Sequence, residues 1–337
     1  MKKPIFRSQQ GMSIVELMIA ITLSLVLMLG VFEIFSASKQ SNRIQNALGQ
    51  LQSNARFALD IISYDIRMAG QIGCNSSVDI ANSTGSLADF GGGITGYEHS
   101  DAQNNLPAIM LVDNPGNPAN DDVKNDTDVI FTRYAAPASF VIDSATNTAI
   151  TLEDDDHGIT EGAPLIVSDC QNSEVFTAGG INDTQINIGN GTFGTTYGSD
   201  AELARLVYRT YYIREASNTL YRRDVAANLS DGTTVIRTTP ILENFEDMQI
   251  LYGIDINGDG SAIKYVDANA VTNADEWDQV SSIRLTLVLS TEENNVATTD
   301  QAYWVNGTST NPAANDDNKI FRAFTTTINL RNKGLDT

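Results

Sequence analysis

The chain is short of the side chains that most often carry catalysis. Its 337 residues hold two cysteines, Cys74 and Cys170, and two histidines, His99 and His157. At these spacings they make no convincing zinc site, which needs convergent Cys and His ligands. Both histidines sit in polar stretches and are expected on the surface. There is no Walker loop, dinucleotide fingerprint or G-x-S-x-G elbow, so the sequence points to no enzyme and requires no cofactor. The run Asp154-Asp155-Asp156 reads as a solvated turn. Positive charge is scarce too: 21 Lys and Arg against 42 Asp and Glu leave a formal net charge of -21. A surface of that sign repels DNA and anionic lipid headgroups, so no direct nucleic-acid binding is expected. It serves solubility, or else cations or a basic partner. Proline is missing between Pro4 and Pro107, which removes a common cause of helix breaks from that stretch.

What is present is globular in composition, with 42% hydrophobic and 19% charged residues. The N-terminal segment is the most informative part. A basic head, Lys2 to Arg7, is followed by Ser8-Gln9-Gln10-Gly11. From Met12 to Phe35 the chain is then apolar except for Ser13, Glu16, Thr22, Ser24 and Glu33. At about 1.5 Å per residue, the helix from Ile14 to Phe35 reaches about 33 Å, enough for a hydrocarbon core of about 30 Å. The basic flank predicts a cytoplasmic N-terminus. An ordinary secretory signal is cut after its apolar run, at small residues. Here the polar-to-apolar junction at Gly11-Met12 precedes the run, and a cut there keeps the apolar helix on the mature protein. Glu16 is costly inside an apolar helix unless it is paired. After such a cut it is the fifth residue, near a free amino group, and the amine of one subunit can meet the carboxylate of another. A snorkelling or protonated Glu16 is the alternative.

Gly11-Met12-Ser13-Ile14-Val15-Glu16-Leu17 and the apolar helix behind it resemble the class III signal of type IV pilins and type II secretion pseudopilins. That resemblance implies a leader over residues 1–11. A membrane prepilin peptidase would cut between Gly11 and Met12, and the Met12 amine would be methylated. Met12 departs from the commoner Phe. Glu33 lies where major pilins usually carry a helix-softening proline, which leans toward a minor subunit.

Beyond Phe35 the helical period persists. Ile44, Leu48, Leu51, Ala55, Leu59, Ile62 and Ile66 form one apolar stripe, and Gln40, Arg43, Gln50, Arg56 and Asp60 fill the other face. The spacing predicts a helix from Met12 to about Met68, stopped by Gly70 or Gly73. Its first half, 12–35, suits a membrane or fibre core. Its second, 36–69, is a face to pack on a head spanning 70–337. That head reads as β-rich, with strands expected at 109–112, 128–134, 139–142, 149–152, 165–167, 185–188, 203–214, 219–223, 233–238, 248–254, 280–289 and 320–330. Long polar loops are expected at 76–96, 113–126, 169–183, 190–202 and 292–319. No internal repeat appears. The expected class is α+β: a pilin-like long helix on one composite head with two antiparallel sheets.

Phe245 to Gly260 reads FEDMQILYGIDINGDG, and Trp277-Asp278-Gln279-Val280-Ser281-Ser282-Ile283-Arg284-Leu285 follows. With Ala55-Arg56-Phe57-Ala58-Leu59 and Asp65-Ile66-Arg67-Met68-Ala69-Gly70 on the stem, this resembles the PilW family of minor pilins. Residues 76–202 carry little of the resemblance. It implies a subunit that primes type IV pilus assembly at or near the tip, supporting twitching motility and adhesion. Implied partners are a prepilin peptidase, the inner-membrane assembly platform, other minor pilins, the major pilin and a large tip adhesin. The implied location is the inner membrane, then the surface fibre. A J-type pseudopilin of type II secretion and a DNA-uptake pilus subunit are the alternatives. Two further features stay open. Asp255, Asn257 and Asp259, closed by Asp267, resemble the opening of a calcium loop, against a plain Asn/Asp/Gly turn. Cys74 and Cys170 form a disulfide outside the cytoplasm or remain buried thiols.

Overall fold

The computed structural model describes residues 11–73, 93–98, 123–189, 191–227, 234–299, 301–310 and 318–332. The leader to Gln10, Cys74, His99, the strand expected at 109–112 and most of the loops expected at 76–96 and 113–126 lie outside them.

The stem is one helix, α1 (Ile14–Met68), of 55 residues, or about 82 Å at 1.5 Å per residue. It starts two residues later than expected because Ser13 caps it, its Oγ accepting the Val15 N–H at 3.3 Å. It ends at Ala69, and Gly70 (φ 79) then takes the left-handed conformation that stops a helix. No proline interrupts it.

Among the described residues the head is built of antiparallel strands: β1 (Ile94–Tyr97), β2 (Val129–Ala145), β3 (Ala149–Leu152), β4 (Pro164–Ser168), β5 (Ser173–Asn182), β6 (Gln185–Ile188), β7 (Glu202–Arg214), β8 (Thr219–Ala227), β9 (Thr234–Leu242), β10 (Phe245–Ile254), β11 (Lys264–Val266), β12 (Val280–Ser290), β13 (Tyr303–Val305), β14 (Thr308–Thr310) and β15 (Phe321–Asn329), with a short α-helix, α2 (Ala268–Ala274), and a 3-10 turn at Trp277–Gln279. A four-stranded sheet runs β11-β10-β12-β15, and β13-β14 is a separate hairpin. A larger sheet runs β1-β2-β3-β6-β5-β4-β7-β8-β9, with β2 also paired to β7. That extra pairing closes β2-β3-β6-β5-β4-β7 into a six-stranded antiparallel barrel.

The barrel was not foreseen. The strands expected at 128–134 and 139–142 are a single strand, β2, bent at a bulge between Ala135 and Ser139 that holds Pro137. A bulge tolerates proline because its N–H owes the ladder nothing, and it turns the strand away from the flat sheet. A second bulge, between Ala178 and Ile181 in β5, holds Gly179 and Gly180. Ile142, Ile150, Leu152, Leu165, Val167, Phe176, Ile186 and Leu203 fill the interior. Phe193 and Tyr197 join this core from the β6–β7 connection, with ring centroids 5.5 Å apart.

The main core lies between α1 and the sheets. Leu51, Ala55, Ala58, Ile62 and Ile66 meet Tyr211, Ile213 and Leu220 of the larger sheet. On the smaller sheet they meet Phe245, Met248, Ile250, Ile283, Leu285, Leu287 and Leu289. Burial of an isoleucine such as Ile62 or Ile66 contributes about 1.5–3 kcal/mol, so the stripe is a substantial apolar attachment of the stem to the head. Ile44 and Leu48 pack against a satellite cluster of Val296, Ala297 and Ile320.

Candidate functional site

Among the described residues, the N-terminal half of α1 packs against no other element. From Met12 to Phe35 its large apolar side chains are exposed. It is the one described helix long and apolar enough to cross a membrane by length and composition. Its hydroxyls need no outside partner: Thr22 Oγ1 donates to Met18 O at 3.0 Å and Ser24 Oγ to Ala20 O at 2.8 Å. Glu16 stands in the first turn, where the helix dipole favours an acid. Gly11 and Met12 lie exposed just ahead of the cap.

Polar contact with the head begins at Gln40, whose Nε2 donates to Val296 O at 2.9 Å. Arg43 follows, pairing with Glu293 at 2.5 Å and donating to Asn294 O at 2.6 Å. Gln50 donates to Glu292 at 2.9 Å. The chain after β12 thus clasps the stem where its apolar run gives way to the mixed face.

A second attachment was missed by sequence reasoning. Asp65 is fully buried on the stem and accepts from Tyr134 Oη at 2.7 Å, from Arg209 at 2.7 Å and from the Tyr211 hydroxyl. Arg209 also pairs with Asp224 at 2.9 Å, and Asp224 with Arg222 at 2.8 Å. Burial, and then the Asp65 charge, push both tyrosine hydroxyls above their ordinary range, so they stay donors. Burial, the largest single influence, pulls Arg209 down, but Asp65, Tyr134 and Asp224 together outweigh it and the guanidinium is held above its usual value. The available signal was an acid three positions after Ile62 on the apolar stripe.

The late motif is structural. Tyr252 and Trp277 pack edge to face with centroids 5.0 Å apart. The Trp277 indole N–H donates to Thr272 Oγ1 at 3.1 Å. Gly253 is required because a Cβ there would overlap Ser282 and Ala262. Asp255 closes the following turn by accepting Gly258 N–H at 2.9 Å and Gly260 N–H at 2.6 Å. Asp259 accepts from Ser261 N–H at 2.8 Å and Asn257 at 2.9 Å. Asp267 is the N-cap of α2, accepting Ala270 N–H at 2.7 Å. The four residues considered for calcium are thus engaged with backbone or with each other. Among the described residues no group of three or more His, Cys, Asp or Glu side chains is arranged to hold a metal ion.

His157 corrects an expectation: it is buried, not superficial. Its Nδ1 accepts the Ile159 N–H at 3.0 Å, so Nε2 carries the proton and donates to Asp183 O at 2.9 Å. A polar neighbourhood hid it because the partners are backbone groups. Cys170 is disulfide-bonded; Cys74, the other cysteine of the chain, lies outside the described residues.

Comparison with known proteins gives two family matches. Residues 6–32 match the prokaryotic N-terminal methylation motif. Residues 210–332 match type IV pilus-assembly protein W. The second match starts within β7, the last strand of the barrel, and takes in the whole four-stranded sheet. No curated protein and no solved structure matches the chain. A methylation motif heads an apolar helix consistent with inner-membrane anchoring, and the helix backs onto a strand-rich head of which residues 210–332 fit the pilus-assembly model. On these grounds the chain is similar, over residues 6–32 and 210–332, to prepilin-like minor pilins of the PilW family of type IV pili.

Proposed function

We propose that this chain is a structural, non-enzymatic subunit that primes pilus assembly and is incorporated at or near the tip. It would be cut between Gly11 and Met12 and methylated on the new amine. It would then leave the inner membrane, its N-terminus having faced the cytoplasm, for the fibre. The exposed apolar half of α1, ending where Gln40 and Arg43 meet the head, carries this reading. Such a surface is stable only in lipid or among the same helices of other subunits. Glu16, otherwise unpaired there, takes the Met12 amine of a neighbouring subunit. In the same reading Cys170 bridges to Cys74 in the oxidising periplasm, and the Asp255 turn needs no cation. Twitching and adhesion follow from the fibre rather than from a site on this head.

The deciding experiment is mass spectrometry of fibres sheared from the cells that make the protein. The expected result is a peptide beginning at methylated Met12, in trace amount relative to the major subunit. Processed protein confined to the envelope, without a surface fibre, would assign it to a secretion pseudopilus instead.

A further inference from the structure

Two acids close the seam between the sheets. Asp128 stands just before β2. Its N–H donates to Met248 O at 2.8 Å, and its Oδ2 accepts the Ile250 N–H at 2.7 Å, both partners on β10. Glu98 follows β1, and its Oε1 accepts the Ala268 N–H at the head of α2, at 3.0 Å. Each carboxyl therefore gives one oxygen to backbone. Tyr97 pairs with Val129 across β1 and β2, so Glu98 and Asp128 are the next two residues facing each other along that ladder. Two ionised carboxylates only accept, so a hydrogen bond between them requires a proton on one.

The surroundings favour keeping it. Asp128 is 4% exposed. Burial first, and then the Glu98 charge, push its carboxyl up to about 9; Asp247 adds to the rise and the Ile250 N–H opposes it. Tyr252 faces both acids from β10, and Tyr97 faces Tyr252 from β1. Lys124 pairs with Glu246 at 2.9 Å beside Asp247. The Tyr252 hydroxyl is buried without a hydrogen-bond partner. It lies so close against β1 that a Cβ on Gly96 would overlap it.

We propose that Asp128 and Glu98 form a shared-proton latch, in which one proton held between two carboxyls ties the β1–β2 corner of the larger sheet to β10 and α2. An unfolded aspartate titrates near about 3.9. Folding therefore takes up a proton between that value and about 9. The latch contributes in full below about 4, and its contribution fades as pH rises toward the folded value. Above that, the buried Asp128 charge faces the half-buried Glu98 charge and the seam opens.

The test is unfolding of the full chain in detergent from pH 5 to 9, for the wild type, Asp128→Asn and Glu98→Gln. Asn at 128 still accepts from Ile250 and donates to Glu98, but does not titrate. The wild-type unfolding constant divided by that of Asp128→Asn should climb by up to about tenfold per pH unit. Glu98→Gln should flatten the profile in the same way, and carries the comparison alone if Asp128→Asn does not fold. Hydrogen exchange at the Ile250 and Ala268 amides should speed up with pH in the wild type beyond its rise in the variants. A ratio constant across the range overturns the latch. So does millimolar calcium that stabilises the wild type and neither variant, since the pair would then hold a cation.

Discussion

Replacing Asp65 with alanine should cost about 3 kcal/mol or more of stability, because it breaks a buried ion pair and strands its partners. The Tyr134 and Tyr211 hydroxyls would be left buried without their acceptor, and Arg209 would keep only Asp224. Each abandoned polar group costs about 1–3 kcal/mol. The surviving Arg209–Asp224 pair holds the total toward the lower end. Urea unfolding of the full chain in detergent measures it, and a loss under about 1 kcal/mol would show that the hub is dispensable. The damage should be local in kind: α1 would loosen from β2 and β7 while the barrel core, which shares none of these side chains, stays intact.

At the other end of the stem, Gly11→Trp should abolish processing, leaving only full-length precursor in the membrane on an immunoblot. Glu16→Ala should be processed normally yet fall at least tenfold in sheared fibres. The physical reason is the cost of an amino group left unpaired among apolar helices, several kcal/mol for an ion without its partner. Glu16→Ala at wild-type abundance in fibres would remove the amine–carboxylate pair from the assembly mechanism. Processed Gly11→Trp protein would move the cleavage site.

The stem and most strands of the head were legible in the sequence, including β3 at 149–152, β4 at 165–167 and β6 at 185–188; the closure of the middle strands into a barrel was not. The helix declared itself because one stripe, Leu51 to Ile66, keeps a period near 3.6 and no proline intervenes. Strands β7, β10, β12 and β15 alternate over nine or more residues, and the β7–β8 hairpin pairs Ile213 with Leu220 as its turn residues required. Barrel closure depends on which strands pair, above all β2 with β7, and on the bulges that bend β2 and β5, neither of which shows in local periodicity. β5 hid inside an expected loop because it opens on Ser173 and Glu174, which are buried. Glu174 there accepts from Gly194 N–H at 3.0 Å and Tyr197 Oη at 3.1 Å, contacts without local periodicity. One miss was avoidable. The expected loop at 292–319 contains the β13–β14 hairpin, turned by Asn306 (φ 49) and Gly307 (φ 83). Asn-Gly between alternating residues is the strongest short hairpin signal there is. The larger errors concern polar side chains: Asp65, Asp128 and His157 are placed by partners far away in the chain, which no window of sequence displays.

The barrel has a consequence for how this gene can change. The chain enters the ring along β2 and leaves along β7, and those two strands already face each other at Val141 and Glu202. Residues 142–201 are therefore a cassette: replaced by Asn-Gly, they leave an ordinary hairpin in register. Between Arg133 and Arg205 the sequence has no lysine or arginine at all, so the cassette also carries a charge character of its own. Insertion, loss or exchange of such a unit leaves the stem, the Asp65 hub and the four-stranded sheet with every partner they now have, so one half of the head is free to diversify while the other stays bound to the geometry of its neighbours.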